Sequence, residues 1–434
     1  MSKSLRTAFL VLFAASLNAQ PSQLTLQDAV SMALRDGTMA RLAESQAERA
    51  QISRREALSG LLPQSEARLQ RYNESINLAT FGFEFPGQPP VIGPFNVIDA
   101  QVTAAMQLFN LAALRYYQAS RAGVEASQWR LQQARNDVTI SVARLYVTVQ
   151  RADAQVSSRT ASVKLFEQLS KVAKDEFEAG TGTRLDVAQA NVQLARAKEA
   201  LLRAQHDRES ARIALLNAIG ADQSTEVALA PLTAPSTSPT LDEALASART
   251  QRPELKEAEA AEKAAELTLG SAKARRVPRV ELSLLGDYAG NSMDEMHSSR
   301  RIAGAIAMPL FRGDIPANIA RARLELEDVR TRASAAGRDV EQQVRTSILT
   351  LQNAEERVAV ATETAKVAED ALTIARERQA AGFGSPVEVD RAEDTYREAQ
   401  EDLIAARADA ALAAVQVQYA TGTLSPPPAA QETK

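Results

Sequence analysis

The sequence contains no cysteine. Disulfides, thiolate zinc sites, cysteine nucleophiles and a lipidated N-terminal cysteine are therefore excluded. Aromatic residues make up only 4 %, although 45 % of residues are hydrophobic. The apolar content is mostly Ala, Leu and Val, which suits close helix–helix layers better than a bulky globular core. A basic block is also missing: 50 Lys and Arg against 54 Asp and Glu leave a net charge of −4, so nucleic acid is not an expected partner. No stretch approaches the roughly 20 apolar residues that a membrane helix needs. If the chain enters a membrane, it does so as strands. His206 and His297 lack metal-ligand spacing. No nucleophile–base set, phosphate loop or pocket-like pair of carboxylates occurs, so neither an enzyme nor a cofactor is expected.

The N-terminus has the pattern of an export signal over residues 1–19. Lys3 and Arg6 precede a short apolar run from Ala8 to Ala15, and Leu17-Asn18-Ala19 offers a cleavage site before Gln20. The 434 residues are enough for two or three ordinary domains, but an internal duplication organises them differently. Residues 176–187 read EFEAGTGTRLDV and residues 378–389 read RQAAGFGSPVEV. The alignment pairs Gly180 with Gly382, Gly182 with Gly384, Thr183 with Ser385 and Asp186 with Glu388. Each copy is a glycine turn between two long helical patterns. Glycine stops a helix by accepting positive φ, and Thr or Ser after it can cap the next helix. TLQDAVSMALRDG at 25–37 and TLDEALASARTQR at 240–252 are a second matching pair, as are Pro63 and Pro278. The first repeat thus covers 20–220 and the second 240–422. A proline-bearing linker, 221–239, joins them, and the proline-rich end of 423–434 reads as a disordered tail.

Between each opening helix and each long helical pattern the period changes from helical to alternating. In the second repeat Val280, Leu282 and Leu284 alternate with Glu281 and Ser283, and Asp287 continues the polar side. A return run has Ile302, Ile306, Met308 and Leu310 on one side. In the first repeat Val102, Ala104, Met106 and Leu108 alternate with Gln101, Thr103 and Gln107. These runs predict one β-hairpin per repeat, at 64–108 and 279–310, with strands of about ten residues, enough to cross a bilayer when tilted. Breaker-rich stretches at 81–94 and 289–299 would connect them. The helical patterns that follow run from about Ala113 to Glu178 and from about Ile315 to Ala380, rods of roughly 100 Å. Val138, Val142, Leu145, Val149, Ala152 and Val156 mark a coiled-coil seam in the first, and Val340, Val344, Leu351 and Ala354 one in the second.

Strands in lipid must close into a barrel. Two hairpins supply four strands, and the smallest membrane barrels have about eight, so several chains must share one barrel, most simply as a ring. The strand count alone leaves two, three or four chains open. With both Thr-Leu-x-x-Ala openings, both strand pairs and both glycine turns in view, nearly all of the chain beyond the export signal resembles the TolC family of outer-membrane efflux proteins. The resemblance implies a fold that is mainly α with membrane β. Long duplicated helical hairpins would form a trimeric α-barrel in the periplasm, below a shared twelve-stranded barrel in the outer membrane. It further implies a passive exit duct of a tripartite efflux or type I secretion system, working with a periplasmic adaptor and an inner-membrane transporter.

The same resemblance assigns candidate residues. Gly180, Thr181 and Gly182, with Gly382, Phe383 and Gly384, would lie at the periplasmic tip and contact the adaptor. Asp186 and Glu388 would sit at the pore entrance as rings. There this sequence departs from the best-known pattern, with Arg391 where an acid is expected. Gln101, Thr103, Gln107, Glu281, Ser283 and Asp287 would face the barrel lumen, with Val280, Leu282, Ile306 and Met308 toward outer-membrane lipid. Two other readings stay open at this point. One is a periplasmic adaptor, which would need a single hairpin flanked by split β-domain halves. The other is a structural coiled coil, which leaves the alternating strands unexplained.

Overall fold

A computed structural model describes residues 23–82, 86–87, 89–231 and 239–424. The export signal, linker residues 232–238 with Pro235, and nearly all of the tail lie outside the described residues. The chain opens on a Thr25 cap. Its hydroxyl accepts from the Asp28 backbone N–H and the Asp28 carboxylate accepts from the Thr25 N–H, a reciprocal pair that starts α1 (Leu26–Asp36). α2 (Thr38–Ser59) follows, then β1 (Gln64–Asn77) and β2 (Val91–Phe109). Asn110 caps the long α3 (Leu111–Glu178), and α4 (Arg184–Ile219) returns to Gly220 at φ 72°. The second repeat runs in the same order. Thr240 and Glu243 repeat the capping pair before α5 (Leu241–Gln251), and α6 (Pro253–Ala274) leads to β3 (Arg279–Gly290) and β4 (His297–Ala307). α7 (Asp314–Ala380) and α8 (Pro386–Thr421) close the chain at Gly422, φ 76°.

α3 has 68 residues and α7 has 67, so each is a rod of roughly 100 Å. Their ends fall within a few residues of the periodic patterns. The strand ends differ more. β2 begins inside the stretch 81–94 that reads as a connector. Gly93 and Pro94 are accommodated at a bulge opposite Glu74–Ile76, where a missing N–H does no harm. β2 has 19 residues, nearly twice the expected strand length, and reaches Phe109 rather than 108. A second bulge, between Gln107 and Phe109, puts Phe109 opposite Val280, the apolar place expected for Leu108. β4 stops at Ala307, so Met308 and Leu310 do not continue the ladder. Pro309 lies between them and has no N–H to give.

The four described strands form one antiparallel sheet in chain order, β1-β2-β3-β4, which leaves β1 and β4 as edges. Below it, two apolar cores occupy matching places in the two repeats. The first gathers Ala29, Val30 and Ala33 against Val142, Tyr146, Val149, Leu215, Leu216 and Ile219. The second gathers Ala244 and Ala248 against Val340, Val344, Ile348, Leu351, Ala413, Ala414 and Val417. Each large apolar side chain buried there stabilises by about 1.5–3 kcal/mol. The seam residues Val142, Val149, Ala152, Val340, Val344, Leu351 and Ala354 are buried as their spacing predicts, while Val138, Leu145 and Val156 are half-buried. The described part of the linker packs against the first repeat. Leu24 forms a parallel bridge with Leu229, and the buried Tyr146 hydroxyl lies 2.7 Å from the Leu24 carbonyl and 2.6 Å from that of Ala230. The lone tryptophan, Trp129, is half-buried on α3, with the Lys256 ammonium of α6 4.6 Å from its ring centre.

Candidate functional site

The two hairpin turns share one construction. Gly180 has φ 77° and Gly382 φ 78°, a left-handed conformation that favours glycine. The following amides fold back onto one carbonyl. Thr181 and Gly182 donate to Glu176 O at 2.9 and 3.0 Å, and Phe383 and Gly384 to Arg378 O at the same distances. Gly182 and Gly384 are constrained by space instead. A Cβ at Gly182 would stand 3.2 Å from the Phe177 nitrogen, and one at Gly384 2.9 Å from the Gln379 nitrogen. Thr181, Phe383, Phe177, Leu185 and Val387 are exposed around the turns, Phe383 to 81 %.

The acids after the turns behave differently. The Asp186 carboxylate accepts from the Thr183 N–H at 2.8 Å and from its hydroxyl at 2.7 Å, while the Asp186 N–H donates back at 3.2 Å. Those bonds, the hydroxyl's first, hold its pKa below the usual aspartate value. Its contribution to the cap is therefore present above the ordinary aspartate range and lost as pH falls through the depressed pKa. At Ser385 the hydroxyl accepts from the Glu388 N–H at 3.3 Å, but no reciprocal capping pair forms. Glu388 and Arg391 are exposed on the first turns of α8.

One titratable group at this end does not follow from the exposed motif. Glu393 is 4 % exposed on α8. Arg376 of α7 donates to its Oε1 at 3.0 Å, and Oε2 has no partner among the described residues. Burial raises its pKa, against the opposing pull of Arg376. It borders a cavity of about 650 Å³ between α3 and the α7–α8 hairpin, lined in part by Ser158, Phe166, Tyr396 and Arg397. An ion pair from Arg159 of α3 to Glu401 of α8, at 2.9 Å, ties the two hairpins together. Spacing carries a signal for Glu393. It falls on the stripe of Val389, Tyr396, Ala399 and Leu403, which face inward.

At the other end of the molecule the sheet has two unlike faces. Register places Gln101 opposite Asp287, Gln107 opposite Glu281 and Thr103 opposite Leu285, and Ser283 pairs with Ala105. Gln101, Thr103, Gln107, Glu281, Ser283 and Asp287 therefore share one face. The opposite face carries Leu69, Val102, Leu284, Ile302 and Ile306, exposed to between 44 and 76 %. Val280 and Leu282 also lie on it, whereas Met308 follows the last strand. Polar residues cover one side of a long sheet and exposed aliphatic residues the other. Among the described residues no helix is long and apolar enough to cross a membrane.

A model of the outer membrane efflux protein family matches residues 94–221 and 244–423, most of both repeats. The chain belongs to that family. Comparison with curated proteins gives no match. Solved structures share the fold. The outer membrane protein VceC of Vibrio cholerae superposes with a TM-score of 0.79 at 19 % identity, covering 92 % of this chain and 96 % of that one. The Campylobacter jejuni CmeC outer membrane channel gives 0.79 at 17 % identity, over 92 % and 85 %. The open state of the Neisseria gonorrhoeae MtrE outer membrane channel gives 0.75 at 20 %, over 92 % and 88 %. This outer membrane efflux protein is thus a transport protein of the outer membrane rather than an enzyme.

Proposed function

We propose that this chain is the passive exit duct of a tripartite efflux or type I secretion system, closed as a homotrimer. One observation supports the reading above the others: a two-faced sheet of membrane length with both edge strands, β1 and β4, unpaired. An open edge in hydrocarbon leaves backbone groups unsatisfied at several kcal/mol each. Three copies of the four-stranded sheet give twelve strands, within the known range of membrane barrels. β4 of one copy then pairs with β1 of the next.

In that ring Gln101, Thr103, Gln107, Glu281, Ser283 and Asp287 line the lumen, and the aliphatic face meets lipid. The rods extend into the periplasm. The turns at Gly180, Thr181 and Gly182 and at Gly382, Phe383 and Gly384 meet the adaptor, through which the inner-membrane transporter delivers cargo. The exposed Phe383 and Val387 supply apolar contact there. Asp186, Glu388 and Arg391 stand as rings at the entrance. Residues 1–19 direct export, 221–239 join repeats 20–220 and 240–422, and 423–434 trail from the second.

The test is the mass and shape of the protein extracted in detergent from outer membranes. A hollow, elongated trimer is expected. A soluble monomer, or a rod with no membrane end, would reject the duct.

A further inference from the structure

The aliphatic face of the sheet changes character along its height. Upward from the helices, β1 presents Ser65, Ala67, Leu69, Arg71 and Asn73 on this face, and β4 presents Ile306, Gly304, Ile302, Arg300 and Ser298. The inner strands present Met106, Ala104, Val102 and Ala100 on β2 and Leu282, Leu284, Gly286 and Tyr288 on β3. Arg71 and Arg300 are the charged residues among these positions. Both are exposed, and neither side chain forms a hydrogen bond or ion pair among the described residues. Just above them the face turns polar: Asn73 donates to the Asn96 side chain at 3.1 Å. Tyr288, 48 % exposed, stands near the same level, the place of an aromatic girdle.

The two arginines lie on the two open edges. Arg300 is as many positions above Ala307, the helix-proximal end of β4, as Arg71 is above Gln64, the corresponding end of β1. Pairing β4 of one copy with β1 of the next, ends level and aliphatic faces aligned, therefore sets Arg300 beside Arg71 of the neighbour. Like charges opposite one another across strands repel, and two bare guanidiniums against hydrocarbon are costly. An anion between them removes both penalties. At ordinary strand rise and tilt the pair sits about 18 Å above the helix-proximal ends. Arginine side chains can then extend to the top of a band about 25 Å tall. With the helices in the periplasm, that level belongs to the outer leaflet.

We propose that Arg71 and Arg300 of adjoining copies bind the phosphate of an outer-leaflet glycolipid headgroup, one site at each seam of the barrel. The proposal rests on the trimeric duct described above. Two guanidiniums offer forked donors to one phosphate, which suits arginine better than lysine.

Detergent-extracted protein is titrated with diphosphoryl lipid A and with monophosphoryl lipid A, and bound lipid is counted by native mass spectrometry. Wild-type trimers are expected to favour the diphosphoryl form. Arg71→Gln and Arg300→Gln should each weaken its binding roughly tenfold, and the double lysine variant should retain part of it. Millimolar inorganic phosphate should not displace the lipid. Equal binding by the double glutamine variant, or displacement by free phosphate, overturns the site. Mass and single-channel conductance of the same preparations separate the two levels of failure. Conducting trimers without phosphate preference reject the lipid site alone, whereas absence of trimers rejects the duct with it.

Discussion

The two repeats have the same apolar scaffold and different polar fastenings. Ala29 and Ala33 in the first core correspond to Ala244 and Ala248 in the second, Val142 to Val344, and Leu215 to Val417. Where the first has Tyr146, held against the Leu24 and Ala230 carbonyls, the second has the aliphatic Ile348. Where the first ends its opening helix on Gly37, the second has Arg252, 2 % exposed. Arg252 forms a bidentate pair with Glu254 at 2.9 and 2.8 Å and donates to the Tyr419 and Ala420 carbonyls at 3.1 and 3.3 Å. Its guanidinium also lies 4.9 Å from the Tyr419 ring centre. The first repeat is fastened to the linker, the second to the end of its own last helix. Duplication constrains volume and helical period. It leaves each copy free to satisfy its leftover carbonyls in its own way.

The comparison predicts unequal losses. Arg252→Ala strips Glu254 of its partner and leaves carbonyls of α8 open, and should cost about 3–5 kcal/mol, read as a lowered thermal midpoint. Tyr146→Phe removes one hydroxyl from a core that keeps its ring, and should cost about 1–2 kcal/mol by the same measurement. A larger loss for Tyr146→Phe would make the linker the main fastening and reverse the contrast. At the tips the reciprocal cap of the first repeat should matter more. Thr183→Ala is expected to cost about 1 kcal/mol locally and Ser385→Ala about half as much, measured as faster amide exchange over the turns. Equal acceleration would show that the Asp186 bonds add nothing.

The smallest effect concerns Glu393, whose counterpart Asn191 is exposed and accepts from the Ser170 hydroxyl at 2.9 Å. A carboxyl with raised pKa favours the folded state when protonated. That advantage is full below the ordinary glutamate range and lost as pH rises through the raised value. Glu393→Gln should therefore match the wild type in acid and gain relative stability toward neutral pH. Asn191→Asp should show no such gain for the wild type. A pH-independent difference at Glu393 would mean that Arg376 fully compensates its burial.

The long rods were legible because more than sixty residues of period near 3.6 leave little choice of limits. The glycine turns were legible because two positions demand glycine for different reasons, one for φ and one for space. Strand limits were less so. Bulges at Gly93–Pro94 and at Gln107–Phe109 let the ladder pass residues that read as stops or that shift the alternation. Arg252 gives no signal and Glu393 only its place on an inward-facing stripe, since a charged residue in a helical pattern ordinarily faces water. Their burial depends on partners far away in sequence, Gln343 and Tyr419 for one and Arg376 for the other.

The open edges of the sheet also have a genetic consequence. A strand that must find its partner on another chain makes each defective copy a poison for the ring it joins. Under the trimeric reading, equal synthesis of sound and damaged chains leaves only about one ring in eight free of damage. Edge-strand lesions that still pair should therefore be dominant, and lesions that abolish pairing recessive.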